Sequence, residues 1–199
     1  MGTFLRVPFF SFMPMRVISG IWRSQPLRAC DGVRATTDRV KEAVFSILGS
    51  AADLRILDLY AGSGSLGIEA LSRGAKEAWF VDISKRSIAC IKDNLAGKEL
   101  PQVQVIKQDS IKFLRSIDIT FDWIFCDPPY ANVNLGQLID VFSVSKAVGP
   151  ETMLVLETDR FHTIAIIDDL IQIDRRQFGD TVVYFIGRSD SHHRKNSRA

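Results

Sequence analysis

The sequence predicts an α/β fold with a doubly wound, mostly parallel sheet that ends in an antiparallel hairpin at the C-terminus. Two observations lead to this prediction. Short apolar runs alternate with helical patterns from residue 54 to residue 158, as expected for parallel strands covered by helices on both faces. The chain has 199 residues, of which 46% are hydrophobic, and this suits one globular domain with a sizeable core.

A short β-hairpin extension and a helix are predicted ahead of this sheet. The segments RVISGIW (16–22) and PLRAC (26–30) are typical of short strands, and they predict a hairpin around Arg23–Pro26. The segment TTDRVKEAVFSIL (36–48) is typical of a helix, because Thr36 or Thr37 is suited to cap it. Its apolar residues at positions 40, 44, 47 and 48 share one face, which supports the same assignment.

Strands and helices then alternate along the chain. Strands are expected at 54–60, 77–82, 103–108, 121–127 and 152–158, with helices between them at 65–73, 84–96, 110–117 and 135–148. Ser84 is suited to cap the second of these helices, and Gly74 and Gly97 close the first two. Two strand-like runs on either side of Gly179–Asp180 predict the antiparallel hairpin.

A single domain is expected over residues 15–187, in which residues 15–35 form the N-terminal hairpin. Residues 1–14 are aromatic, but Arg6, Pro8 and Pro14 interrupt them, and they lack the apolar core and cleavage site of a signal peptide. We therefore expect residues 1–14 to be a disordered extension and residues 188–199 to be a basic disordered tail. No apolar run approaches the roughly 20 residues that span a bilayer, so no membrane association is expected.

The cysteines indicate a reducing compartment. Cys30, Cys90 and Cys126 are odd in number and form no C-x-x-C pair, which argues against a disulfide framework or a zinc site. The sequence therefore predicts a cytoplasmic protein without a metal.

Charge is distributed unevenly along the chain. The formal net charge is +2, yet residues 16–41 contain six basic and two acidic residues, and residues 188–199 contain four basic and one acidic residue. The body between them is acidic, so the basic ends are the expected contacts for a polyanion. Arg16, Arg23, Arg28, Arg34 and Arg39 are accordingly expected to lie beside the active-site mouth and to contact phosphates; solvated termini are an equally simple explanation of the charge alone.

The segment DLYAGSGSLG carries the first candidate site. Asp58 ends the first core strand, and Gly62, Gly64 and Gly67 follow in a G-x-G-x-x-G pattern that opens a helix. Glycines permit a tight turn and a close approach of backbone N–H groups to a ligand. Asp82 ends the next strand, where a carboxylate can accept hydrogen bonds from ribose hydroxyls. This pattern fits a site for either a dinucleotide or S-adenosylmethionine. The alternative is a glycine-rich tight turn that has only a structural role.

Two further strand ends favour S-adenosylmethionine. Asp109 follows the third strand, where it could accept from an adenine amino group and also cap the next helix. The segment DPPY ends the fourth strand. The Asp127 carboxylate and the Pro128 carbonyl are suited to accept from the two N–H groups of a nucleobase amine, while Pro129 stiffens the loop and Tyr130 offers a ring for stacking.

Four segments together resemble a known family. RVISGIWRSQPL, RATTDRVKEAVFSIL, LDLYAGSGSLGIEALSRGA and FDWIFCDPPY resemble, in this order, the RsmD family of bacterial 16S ribosomal RNA guanine-N2 methyltransferases, within the class I, Rossmann-like methyltransferases. The resemblance covers about residues 15–187. Residues 1–14 have no counterpart in the family pattern, and the basic tail departs from it.

The resemblance implies roles for particular residues. Asp127, Pro128, Pro129 and Tyr130 would hold the target guanine. Arg34 and Arg39 match the helix entry beside the active site, with helix capping and a surface ion pair as the structural alternative for that entry. The cofactor would be held by residues at the strand ends and the helix entry, namely Asp58, Ala61, Gly62, Ser63, Gly64, Asp82, Ile83, Asp109, Ser110, Thr36 and Thr37.

The predicted function is methyl transfer from S-adenosylmethionine to the N2 amino group of a guanine in 16S ribosomal RNA. The expected partner is this RNA or the assembling small ribosomal subunit, and the chain is expected to act as a monomer. A DNA adenine-N6 methyltransferase would use the same loop on a similar amine. An NAD-binding oxidoreductase would use only the glycine pattern, and an RNA-binding module without catalysis would use neither.

Overall fold

The computed structural model describes residues 15–30, 37–129, 133–167 and 169–189. Within these residues the chain forms five helices: α1 (Asp38–Leu48), α2 (Ser65–Ser72), α3 (Lys85–Leu95), α4 (Ser110–Ser116) and α5 (Leu135–Val144). The same residues form seven strands: β1 (Arg55–Leu59), β2 (Glu77–Asp82), β3 (Gln102–Lys107), β4 (Phe121–Cys126), β5 (Val148–Asp159), β6 (Leu170–Phe178) and β7 (Thr181–Arg188).

All of these strands belong to one sheet, in the order β3-β2-β1-β4-β5-β7-β6. The first five strands in this order are parallel, while β7 inserts antiparallel between β5 and β6. The predicted fold class is confirmed, including the C-terminal hairpin. Since β1 pairs with both β2 and β4, the loops that follow these three strands meet at one edge of the sheet, which we call the carboxyl edge.

Local signals explain where most helices begin. The Thr37 hydroxyl accepts from Val40 N at 3.3 Å, and Ser84 and Asp109 cap α3 and α4 in the same way. The predicted end of α5 at residue 148 was wrong, because the helix ends at Val144. Ser145 is extended and its hydroxyl donates to Leu114 O at 2.6 Å, so the chain leaves the helix and enters β5.

The sheet separates two apolar clusters. One lies under α1, α2 and α3. There the Phe45 ring packs edge-on against Trp123, with ring centres 6.1 Å apart, and at a tilt against Phe125, with ring centres 5.7 Å apart. The other lies under α4 and α5 and includes the fully buried Phe121 and Phe142. Burial of each such side chain contributes about 1.5–3 kcal/mol to folding, so both layers hold the sheet rigid below the loops of the carboxyl edge.

The N-terminal segment, residues 15–30, forms a hairpin whose two arms have little regular strand pairing. A single antiparallel bridge joins Arg16 to Pro26, and the turn lies at residues 20–24 rather than at the predicted Arg23–Pro26. Ile21 N donates to Ser72 O at 2.9 Å, so the turn rests on the C-terminal end of α2. A side chain at Gly20 would place its Cβ 1.8 Å from Ser72 O, and the Gly20 φ of +85° also favours glycine.

A buried polar network holds this hairpin against the helices. The Glu69 carboxylate accepts from Ile18 N at 2.7 Å, from Ser19 N at 3.0 Å and from Arg73 Nε at 2.8 Å. Lys41 Nζ lies 4.0 Å from Glu69 and donates to the Arg16 carbonyl. Burial lowers the pKa of Lys41, and the charge of Glu69 opposes that shift. The network therefore ties α1, α2 and the hairpin into one unit.

Both predicted disordered ends, residues 1–14 and most of 188–199, lie outside the described residues. None of the helices in the described ranges is long and apolar enough to cross a membrane.

Candidate active site

Three aspartates lie at the carboxyl edge, where β1, β2 and β4 end. Asp58 and Asp82 are buried, and Asp127 is half-buried directly after β4. Burial raises the pKa of the Asp58 carboxyl well above its usual range, and the neighbouring charges of Asp127 and Asp82 raise this pKa further. The carboxylates of Asp127 and Asp82 therefore both lie close enough to Asp58 for their charges to act on it.

The glycine loop is fixed between two of these acids. Gly67 N donates to Asp58 Oδ2 at 3.0 Å, and Gly62 N donates to Asp82 Oδ2 at 2.9 Å. Gly64 has a φ of 77° at the N-cap of α2. A Cβ at Gly67 would lie 2.3 Å from the Phe80 ring, so helix α2 approaches β2 too closely for any other residue. Each glycine of the pattern thus has a geometric reason in the fold.

Asp82 has acceptor capacity beyond the loop. Its Oδ1 accepts from Ser84 N at 2.7 Å, and its Oδ2 accepts from the glycine loop. Because each carboxylate oxygen carries two lone pairs, the side chain can accept further hydrogen bonds from a ligand. The next residue, Ile83, is 64% exposed and offers an apolar surface beside this carboxylate. The pair suits a sugar and an adjoining flat ring.

Tyr60, which follows β1, contacts the start of α4 and was not selected by the sequence analysis. Asp109 caps α4 by accepting from Lys112 N at 2.9 Å, and the Ser110 hydroxyl accepts from Tyr60 N at 3.3 Å. Tyr60 has a φ of 53°, an uncommon conformation for a tyrosine. Burial raises the pKa of its hydroxyl, with smaller effects of Cys126 and Asp109. Tyr60 therefore connects the loop after β1 to the start of α4, which follows β3. Its position directly after β1 was the available signal.

The DPPY segment, the predicted catalytic loop, follows β4. Cys126 pairs with Leu59 of β1 on one side and with Leu156 of β5 on the other, so Asp127 leaves the middle of the sheet. Pro128 is buried and Pro129 is exposed. Tyr130 lies outside the described residues. Burial, together with the charges of Asp127 and Asp58, raises the pKa of the Cys126 thiol, which keeps it neutral beneath this loop.

The N-terminal segment also contacts the glycine loop. The Cys30 thiol donates to Gly62 O at 3.3 Å. The buried Asn94 amide donates to Ser63 O at 2.9 Å and to Arg28 O at 3.0 Å, and its oxygen accepts from Arg28 N at 2.7 Å. Residues 28–30 therefore lie against the side of the glycine loop. Asn94 was not predicted, because a single polar residue on a helix gives no sign of its distant partners.

The predicted RNA-contacting arginines lie in different parts of the fold. Arg16 pairs with Asp38 at the start of α1, and Arg28 pairs with Asp93 on α3. Arg23 lies in the turn on the C-terminal end of α2, whereas the glycine loop precedes the N-terminal end. At 1.5 Å per residue, these two ends are about 12 Å apart. Arg23 therefore lies about one length of α2 from the glycine loop, farther than the sequence analysis expected.

The helix entry is described only in part. Thr37 caps α1, which confirms its structural role, and Arg39 is exposed on the first turn. Arg34 and Thr36 lie outside the described residues. Contacts of this entry with cofactor or RNA remain predictions.

Comparisons with known proteins place this architecture in a family. Residues 15–187 match the family described as Conserved hypothetical protein 95. The chain belongs to this family, the RsmD family. The Bacillus subtilis (strain 168) protein YlbH is 38% identical over 177 residues, which cover 85% of this chain and 96% of YlbH. The Haemophilus influenzae protein named Ribosomal RNA small subunit methyltransferase D is 36% identical over 154 residues, 73% of this chain and 79% of that relative.

A solved structure agrees with the sheet and its loops. The Escherichia coli protein yhhF has a TM-score of 0.80 and 26% sequence identity, and the match covers 88% of this chain and 98% of yhhF. The resemblance to the RsmD family that the sequence motifs predicted is therefore confirmed.

Proposed function

We propose that the chain is a ribosomal RNA methyltransferase that uses S-adenosylmethionine, and that its target is the N2 amino group of a guanine in 16S ribosomal RNA. One observation carries this proposal: the glycine loop with Asp82 lies at the same edge of the sheet as the Asp127-Pro128 loop. The names of the family's relatives support the ribosomal RNA target. We further propose that the chain acts as a monomer in the cytoplasm, on this RNA or on the assembling small subunit.

The residues at the ends of β1 and β2 suit S-adenosylmethionine. Asp82 keeps lone pairs for two ribose hydroxyls, Ile83 can cover the adenine, and the loop of Gly62 and Gly64 leaves room for the methionine part. Asp109 and Ser110 border the adenine side. The cofactor supplies an electrophilic methyl group on a sulfonium, which is already a good leaving group.

The residues after β4 suit a nucleobase amine. The lone pair of such an amine is delocalised into the ring, so the amine is a poor nucleophile. Two acceptors aimed at its two N–H groups, the Asp127 carboxylate and the Pro128 carbonyl, would orient it and favour the sp³-like nitrogen of the transition state. The methylated amine is acidic, and its proton can pass to Asp127 or to water. The base must be unstacked to reach this loop, and Tyr130 is proposed to stack on it.

Replacement of Asp82 tests the cofactor assignment. We expect Asp82→Ala to weaken S-adenosylmethionine binding by about 1–3 kcal/mol, because a buried acceptor for the ribose is lost. The measurement is isothermal titration with S-adenosylmethionine, S-adenosylhomocysteine and NAD. Glu151→Ala, an exposed change near the start of β5 and therefore far from the carboxyl edge, is the control and should bind like the wild type. Binding of NAD without binding of either adenosyl compound would contradict the assignment.

A pair of arginines tests the RNA contact. Arg28 lies beside the glycine loop, whereas Arg23 lies at the far end of α2. The slope of log K for RNA binding against log salt concentration measures the number of phosphate contacts. We expect this slope to be less steep by about 0.7–0.9 in Arg28→Ala, the contribution of one phosphate contact. Arg23→Ala is the matched control and should leave both slope and affinity unchanged. Equal slopes for the two variants would show that Arg28 serves only its ion pair with Asp93.

A further inference from the structure

A turn beyond the end of β5 projects from the carboxyl edge beside the catalytic loop. Leu156 of β5 pairs with Cys126, and the strand continues for three residues to Asp159. At about 3.3 Å per residue and about 4.8 Å between strands, Asp159 lies roughly 10 Å beyond Cys126 and one strand to the side. Residues 160–162 therefore stand on the same edge as Asp127, within reach of nucleotides that flank a base held there.

Phe161 is the prominent side chain of this turn. It is 75% exposed, although exposure of an aromatic ring to water is unfavourable for folding. The Arg160 guanidinium lies 4.8 Å from the centre of the ring and covers one of its faces. At this exposure the ring can receive a flat partner, and an exposed aromatic ring is a surface on which nucleobases stack.

The turn is held in place before any partner binds. Asp159 Oδ1 accepts from Phe161 N at 2.8 Å, from His162 N at 3.0 Å and contacts the His162 ring at 2.8 Å. Arg160 N donates to Asp180 O at 2.8 Å, and its guanidinium pairs with the Asp180 carboxylate at 3.1 Å. The β6–β7 turn thus supports the β5 turn. A fixed ring loses little conformational entropy when it binds a base.

We propose that Phe161, supported by Arg160, is a stacking platform for a nucleobase of single-stranded RNA next to the target guanine. The inference rests on the proposed function and extends it, because the platform would hold the flanking strand while Asp127 and Pro128 hold the target. It commits to RNA, since the platform combines an aromatic face with a guanidinium and continues the edge that carries the catalytic loop.

Two variants with a matched control test this platform. Ile21 is 76% exposed, almost the same as Phe161, but lies in the turn at the far end of α2. We expect Phe161→Ala to raise KM for small ribosomal subunits by about tenfold, within the range of one lost base-stacking contact, and to leave kcat and S-adenosylmethionine affinity unchanged. Ile21→Ala should leave KM, kcat and S-adenosylmethionine affinity at wild-type values. Phe161→Tyr keeps an aromatic ring, so its KM should stay close to the wild-type value.

A direct binding measurement completes the test. Single-stranded RNA should quench the fluorescence of Phe161→Trp but not that of Ile21→Trp, because only the first indole would stack on a base. Equal behaviour of Phe161→Ala and Ile21→Ala, with an active wild type, would overturn the platform and leave the proposed function intact. A raised KM on subunits without quenching by RNA would overturn it in favour of a protein contact. If the wild type methylates no ribosomal RNA, the proposed function fails and the platform fails with it.

Discussion

We expect Asp127→Ala to slow single-turnover methyl transfer by about 10²–10³-fold, the usual effect of losing one preorganised hydrogen bond to a transition state. The physical reason is the position of the side chain. Asp127 leaves the end of β4, between the strands that carry the glycine loop and β5, and it is half-buried there. Without its carboxylate, the amine has only the Pro128 carbonyl to orient it.

The same variant separates chemistry from cofactor binding. S-adenosylmethionine affinity should stay close to the wild-type value, because Asp82 and the glycine loop remain intact. Asp127→Asn keeps one acceptor oxygen and should fall between Asp127→Ala and the wild type. Asp140→Ala removes an exposed acid from α5 and is the control for charge. Wild-type rates for Asp127→Ala would mean that the acid only ends the strand.

Glu69→Ala should lower the free energy of unfolding by about 3–5 kcal/mol, the usual cost of removing one partner from a buried ion pair. Glu69 is fully buried and accepts from two backbone N–H groups of the N-terminal hairpin as well as from Arg73. Its loss leaves these donors unsatisfied and leaves the buried Lys41 ammonium with Asp38 as its one counter-charge among the described residues.

Urea unfolding is the measurement for this network, with Glu42→Ala as control. Glu42 is exposed on α1, so its replacement should change stability by no more than about 0.5 kcal/mol. A cycle with Lys41→Met should be non-additive, because both residues belong to one network. A loss below about 1 kcal/mol for Glu69→Ala would show that the hairpin is held by apolar packing instead.

Much of the fold and of the candidate site could be predicted because the signals are local. The glycines between β1 and α2, the acids at the ends of β1 and β2, and the caps Thr37, Ser84 and Asp109 all act within a few residues of their position. The register of the parallel sheet then brings consecutive strand ends to one edge without further information. The position of Asp127 at this edge followed from the same rule.

The features that were missed depend on contacts between distant parts of the chain. Glu69 meets Ile18 and Ser19 across about 50 residues, and Asn94 meets Arg28 across 66. These contacts fix the direction of the hairpin and place Arg23 away from the mouth. No pattern within either segment indicates its partner. The Phe161 turn was missed for a similar reason, since its position at the carboxyl edge follows from the pairing of β5 with β4 and β7.

The most direct test of the central claim is a single-turnover reaction with S-adenosylmethionine that carries a labelled methyl group, on small ribosomal subunits from a strain that lacks the gene. The RNA is then digested to nucleosides and the labelled product is identified. The account predicts N2-methylguanosine at one position of 16S ribosomal RNA with the wild type, and a rate lower by about 10²–10³-fold with Asp127→Ala. Label on another nucleoside, label in adenine of duplex DNA instead, or no transfer to subunits would contradict it.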